Sequence, residues 1–182
     1  MNKLLFFLFI FSCQLSHSQI IEGQNFCQET IDGSFVPLSI DKKKILWYET
    51  FYFEYITGSK IIKGKTYIEF KQEWENKNTS TFYLREKDGV IYQYDQCCEN
   101  ETIKYNHSFN EKQVWKSEDT IREYRILSYK GKLQTPFCKY ENLLVIEAKM
   151  EYGTFNFYYL KGHGYVGATK DEKLVSCVTP KW

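Results

Sequence analysis

Long stretches of this chain alternate apolar and polar residues one by one, and that period constrains the fold more than any other feature. In TYIEFKQEW (66–74), Ile68, Phe70 and Trp74 share one parity, and Tyr67, Glu69, Lys71 and Glu73 share the other. In NLLVIEAKM (142–150), Leu144, Ile146, Ala148 and Met150 fall together, opposite Glu147 and Lys149. In GTFNFYYL (153–160), Phe155, Phe157 and Tyr159 alternate with Asn156 and Tyr158. Successive side chains of a strand point to opposite faces, so this pattern describes half-buried antiparallel strands. The expected core includes Ile68, Phe70, Leu144, Ile146, Phe155 and Phe157. Segments 45–56 and 120–130 read as longer strands, twisted or bulged. Segment 109–119 carries no sustained helical stripe, and its Trp115 is expected to cap an open end of the sheet.

Glycines punctuate these runs at Asp32-Gly33, Thr57-Gly58, Lys63-Gly64-Lys65, Asp88-Gly89, Lys130-Gly131-Lys132, Tyr152-Gly153 and Gly162-His163-Gly164. Hairpin turns need residues that accept positive φ, so each is a candidate turn. The fold class that follows is all-β: one strongly twisted antiparallel sheet in a meander. Phe, Tyr and Trp make up 18% of the chain, as aromatic packing across a pleated surface favours.

The first residues have the layout of a secretory signal. Lys3 gives a positive start, Leu4 to Phe11 an apolar run, and Ser16 and Ser18 small residues before a cleavage point ahead of Gln19. Residues 1–18 are therefore expected to be a signal peptide, and 19–182 a single β domain. The apolar run is too short to cross a bilayer as a helix, so the mature chain carries no transmembrane helix. Ile10-Phe11-Ser12-Cys13 offers a competing reading as a lipoprotein anchored at Cys13. Otherwise the product is secreted or periplasmic. Loss of Lys3 leaves the mature chain neutral, with no basic excess to hold nucleic acid. Residues 19–44 are less regular and read as a lead-in loop, with Lys42-Lys43-Lys44 as a solvated edge.

The block 135–176 resembles the C-terminal half of a family of uncharacterised secreted bacterial proteins. The matching residues are Thr135-Pro136, Tyr140, Asn142, Ile146-Glu147, Tyr158-Tyr159, Gly162, Gly164 and Val166, with KGKTYIEF and YLREKDGVIYQYD upstream. That family is similar to the half-barrel group that includes lipoprotein-localisation factors, in which a curved antiparallel sheet wraps an apolar surface. The resemblance implies that the meander forms a half-barrel, and it carries no catalytic residues across.

Catalytic constellations are sparse. Only His107 and His163 follow the signal, and no spacing of His, Cys or carboxylates suits a metal site. Cys138 with His163 is the one formal nucleophile–base pair, in a compartment where cysteines are usually bonded. There is no nucleophile elbow or phosphate loop. Glu69, Glu73, Glu86 and Glu147 are expected to pair with lysines across strands rather than hydrolyse a glycoside. No cofactor or metal is called for. Asn78, Asn100 and Asn106 head acceptor triplets for N-glycosylation, and Asp119-Thr120-Ile121 resembles a bacterial O-glycosylation acceptor.

The mature chain holds five cysteines, Cys27, Cys97, Cys98, Cys138 and Cys177. All are disulfide candidates, and the odd number leaves at least one thiol outside any internal pairing. Adjacent Cys97 and Cys98 are too close at Cα for an ordinary mutual bond, so one of them is expected to bond Cys138. The other then pairs with Cys27, or stays free while Cys27 pairs with Cys177. Tyr48, Tyr52, Tyr67, Tyr83, Tyr92, Tyr94, Tyr158 and Tyr159 are the candidate lining of a concave ligand-binding face.

The expected function is a secreted or periplasmic, non-enzymatic binding module for an apolar or amphipathic ligand, in the manner of a lipid or lipoprotein carrier. The first alternative is an envelope interaction module that takes a partner protein along an exposed sheet edge. The second is a hydrolase. Terminal sequencing of the exported protein is expected to begin at Gln19. A lipidated Cys13 as the first residue would replace cleavage with anchoring.

Overall fold

A computed structural model describes residues 27, 33–39 and 42–179. The signal segment, the cleavage point and Cys13 lie outside the described residues. The first six strands are β1 (Lys43–Trp47), β2 (Thr50–Ile62), β3 (Lys65–Trp74), β4 (Thr79–Lys87), β5 (Val90–Asp95) and β6 (Asn100–Asn106). The second six are β7 (Val114–Lys116), β8 (Glu123–Gln134), β9 (Lys139–Met150), β10 (Gly153–Leu160), β11 (Gly164–Lys170) and β12 (Lys173–Thr179). No helix occurs among the described residues.

Except at β6 and β7, consecutive strands are hydrogen-bonded to each other, and β1 also pairs antiparallel with β12. The sheet order therefore runs from β6 through β1 and β12 to β7. The one interruption between consecutive strands is at β6 and β7. There the two ends approach, and the all-β antiparallel meander expected from the sequence becomes a nearly closed barrel. Side chains bridge the seam in place of a ladder. The Trp115 indole donates to the Ile103 carbonyl at 2.8 Å, and the Glu118 amide donates to Thr102 Oγ1 at 2.8 Å. Asn100 Nδ2 adds a bond to Glu118 Oε1 at 2.7 Å. Trp115 packs between Phe109 and Tyr124, so it caps the sheet end as its sequence context suggested.

The core forms inside this curl and on its back. Inside, Ile91, Tyr105, Ile126, Leu144, Ile146 and Tyr159 pack together, and Val36 of the lead-in segment joins them. Ile45, Tyr52 and Val178 make a second interior cluster across β1, β2 and β12. On the outer side of β8–β11, Leu133, Tyr140, Leu143, Val145, Leu160 and Val166 form a third. Strand β9 is thus buried on both faces, which explains its unbroken apolar run from Leu143 to Ile146. Of the expected core, Phe70, Leu144, Ile146 and Phe155 are buried, while Ile68 and Phe157 are partly exposed.

Four local expectations are corrected. Segment 45–56 is two strands: the chain reverses at Tyr48-Glu49, with Tyr48 at φ 51° and Trp47 opposite Thr50. No glycine marks this turn. Gly58 and Gly131 lie within strands, at register shifts of β2 and β8, rather than in hairpin turns. At Gly131 a Cβ would meet Val145 Cγ2 at 2.2 Å, so close approach of β9 requires glycine there. Lys43 is no solvated edge residue but is buried. Strand β1 lies mid-sheet, and alternation turns Lys43 inward while Lys42 and Lys44 sit over the rings of Phe53 and Phe51. Finally, Cys138 bonds Cys27, not either of the adjacent pair. Cys97 and Cys98 occupy the exposed β5–β6 turn, and Cys177 is a buried thiol in β12. The bond clips the lead-in segment to the start of β9. Closing a loop of 111 residues contributes about 4–5 kcal/mol in the chain-entropy account.

Trp115→Phe keeps an aromatic ring at the seam but removes its donor. The expected loss is about 0.5–1.5 kcal/mol, with faster amide exchange in β6 and β7 and unchanged exchange in β1 and β12. Unaltered protection of β6 and β7 would show that the indole does not hold the seam.

Candidate interior ligand site

The inward parity of β2, β3 and β4 carries more than apolar side chains. Tyr52, Glu54, Phe70, Gln72, Ser80, Phe82 and Leu84 all face a pocket of about 350 Å³. From the other half, Trp47, Phe157, Tyr159 and Tyr165 complete its wall, and Val36 and Pro37 cover part of it. The volume is within the range of small-molecule sites, and the composition matches their usual form, aromatic walls with a few polar groups. A second recess of about 100 Å³ adjoins it, lined by Arg122, Tyr124, Ile146 and Met150. The two share Lys104, Phe157 and Tyr159.

The polar groups form a rung. Glu54 lies opposite Gln72 in the β2–β3 register, and Gln72 opposite Ser80 in β3–β4. Gln72 Nε2 donates to Glu54 Oε2 at 2.8 Å, and Ser80 Oγ donates to Gln72 Oε1 at 3.1 Å. Gln93, opposite Leu84 and Thr102, donates to Asp95 Oδ1 at 3.0 Å. Thr102 donates to the other carboxylate oxygen of Asp95. Lys43, opposite Glu54 across β1–β2, donates to the carbonyls of His163 and Tyr165. Burial lowers the Lys43 pKa to about 8, against the favourable field of Glu54. Burial likewise raises the phenols of Tyr52, Tyr159 and Tyr165, which remain neutral donors; Tyr165 uses its hydroxyl on Ser176 Oγ at 2.7 Å.

The structure divides the tyrosines singled out from the sequence. Tyr52 and Tyr159 line the pocket. Tyr48 is 56% exposed in the β1–β2 turn. Tyr67, Tyr83, Tyr92 and Tyr94 stand on the opposite parity, with Tyr83 paired to Tyr94 and Tyr92 to Arg85. Tyr158 also faces away, beside Thr169 and the outer cluster. The readable signal was different: Glu54 and Gln72 are polar residues at inward positions of otherwise aromatic strand faces. Thr120, in the resembling O-glycosylation triplet, is an exposed residue of the β7–β8 turn at φ 59°.

The outward tyrosines surround an ion pair instead of a ligand face. Arg85 makes two bonds to the Glu101 carboxylate, the longer at 2.7 Å, and lies over the Tyr92 ring. Lys65 and the Tyr67 hydroxyl donate to the same carboxylate at 2.6 and 2.5 Å. The bonds from Arg85, followed by those from Lys65 and Tyr67, hold the Glu101 pKa down to about 2 against its burial.

The formal catalytic sets do not assemble. Cys138 is disulfide-bonded, which removes it as a nucleophile. His107 lies at the far end of β6 from Cys97 and Cys98 and packs on Tyr105. Among the described residues no three His, Cys, Asp or Glu side chains cluster as metal ligands. Glu147 pairs with Arg125 across β8–β9, and Lys149 with Glu123, as cross-strand neighbours.

The arrangement defines an up-and-down, nearly closed β-barrel with an aromatic-walled interior site. Two solved structures resemble it. One, from Bacteroides fragilis, is described as an exported protein with a YmcC-like fold; it is 9% identical, with a TM-score of 0.47, and the match covers 81% of this chain and 97% of that one. The other, from Parabacteroides distasonis, is described as a lipoprotein; it is 10% identical, with a TM-score of 0.44, covering 81% and 96%. No family model matches the chain, and no curated protein does.

The Glu101 cluster has a pH signature. A carboxylate whose folded pKa is depressed adds stability that is complete above its unfolded pKa, about 4.3, and is lost as pH falls through the folded value. Glu101→Gln is expected to cost about 1–3 kcal/mol at neutral pH and to flatten the decline in stability between pH 4.5 and 2. Denaturant melts across that range check it; parallel wild-type and variant curves would show that the cluster does not set acid stability.

Proposed function

We propose that this protein is a non-enzymatic binding module of the cell envelope that holds an amphipathic ligand inside its barrel. The signal layout at the N-terminus supports export. The observation that carries the reading is the interior pocket itself, with an aromatic wall of Trp47, Tyr52, Phe70, Phe82 and Phe157 and the Glu54–Gln72–Ser80 rung within reach. Water alone would satisfy the rung, but the apolar wall favours a ligand with an apolar body and a polar end.

Partner addition along a sheet edge draws less support. The two edge strands, β6 and β7, meet at the seam, and β7 is three residues long. Both ends are thereby blunted against another chain. A hydrolase draws less support, since the formal nucleophile Cys138 is held in a disulfide with Cys27.

The test is binding of 11-(dansylamino)undecanoate, an acyl probe, followed by energy transfer from tryptophan. Trp47 lines the pocket and should transfer to a seated dansyl group. Saturable binding is expected, weakened about tenfold or more by Ser80→Trp, which fills the pocket with an indole. Absence of saturable binding, or indifference to Ser80→Trp, would remove the interior site from the function.

A further inference from the structure

The ligand-binding reading leaves open what the polar end of the ligand is. Interior charge answers it. Glu54 receives the Gln72 amide and stands opposite Lys43. Lys43 has two carbonyl acceptors. Arg122 pairs with Asp119 at 3.2 Å, and both Asp95 oxygens are taken by Gln93 and Thr102. Lys104 is the exception: it lines both recesses, and no hydrogen bond or ion pair engages it among the described residues. It sits deep among neighbouring atoms, yet its side chain keeps partial access through the recesses.

It lies at a local irregularity of β6. Ile91 pairs with Tyr105 and Tyr92 with Ile103, so Lys104 is the extra residue of a bulge in β6. Without the bulge, strict alternation from Thr102, which faces inward with Gln93, would pair Lys104 with Ile91 and turn Tyr105 outward, away from the core cluster it joins. The bulge keeps Tyr105 in the core, while Lys104, which alternation from Thr102 also places inward, still lines the pocket. A desolvated cation without a partner is costly, and such groups persist where a ligand supplies the partner.

We propose that Lys104 binds the anionic head group, a carboxylate or phosphate, of an amphipathic ligand whose apolar body lies along Phe157, Tyr159 and Phe82. The proposal rests on the ligand-binding reading of the pocket and adds the charge of the ligand and the residue that selects it. Burial, the largest influence, lowers the Lys104 pKa, Glu54 and Asp95 oppose it, and Arg122 reinforces it. An arriving anion would favour the charged form. The bond would be charge-assisted and shielded from water, hence strong enough to discriminate.

The test compares 11-(dansylamino)undecanoate with its uncharged primary amide on the full exported protein. The wild type is expected to bind the carboxylate about tenfold tighter than the amide. Lys104→Met is expected to bring the two affinities together by weakening the carboxylate alone, and Lys104→Arg to keep the preference. Millimolar acetate or inorganic phosphate is expected to leave the acyl probe bound; full displacement by either would overturn the amphiphile in favour of a free anion. Equal wild-type affinities, or a preference that survives Lys104→Met, would overturn the role of Lys104 while leaving the pocket as a ligand site. If neither probe binds, the ligand reading fails, and this inference with it. Circular dichroism of each variant separates misfolding from lost recognition.

Discussion

The ladder between β1 and β12 is the contact on which the rest of the architecture depends. It joins two six-stranded meanders, β1–β6 and β7–β12, that are otherwise adjacent only at the seam. Its register places Ile45 opposite Val178 and Leu46 opposite Cys177, with Ile45, Val178 and Cys177 all buried. Once that pairing is made, the twist of each half carries β6 and β7 toward each other, and the inward faces of both halves enclose one interior. The pairing is long-range in sequence, and domains rich in such non-local contacts fold slowly.

The enclosed space is not filled to completion, and it is not purely apolar. A barrel of this kind could have used leucines at positions 43, 54, 72 and 104 to close its core. It carries instead two lysines, a glutamate and a glutamine. Lys43 is absorbed by backbone carbonyls at the β10–β11 turn, and Glu54 by Gln72. Those two therefore have structural employment. Lys104, with no such partner among the described residues, remains turned toward open volume, and the proposed ligand chemistry derives from that difference. On the outer surface the polar groups around Glu101 are matched with one another instead, Arg85, Lys65 and the Tyr67 hydroxyl all meeting its carboxylate.

Much of the fold was legible because alternation reports burial directly. The faces read from TYIEFKQEW hold in the registers, with Ile68 opposite Leu84, Phe70 opposite Phe82 and Trp74 opposite Tyr52. What the sequence did not show are consequences of tertiary pairing. Tyr48 reverses the chain without a glycine, and Lys43 is carried inward by the central place of β1. Gly131 looks like a turn residue, yet it is required by the approach of Val145. The cysteine pairing depends on the tertiary placement of Cys27 beside Cys138. Tyrosine content did not report the lining of the pocket, because six of the eight tyrosines fall in a turn or on the outward parity. The inward polar residues Glu54 and Gln72 carried the information, and so did Lys104, two residues from inward-facing Thr102; the bulge conceals instead that Tyr105 joins the core.

Native mass spectrometry of the protein purified gently from the cells that export it addresses the central claim most directly. The account predicts a population heavier than the disulfide-bonded polypeptide by the mass of one small amphiphile, dissociating as an anion and reduced when Lys104→Met is purified in the same way. A single species at the polypeptide mass for the wild type, under conditions that retain ligand on a known lipid carrier, would contradict it.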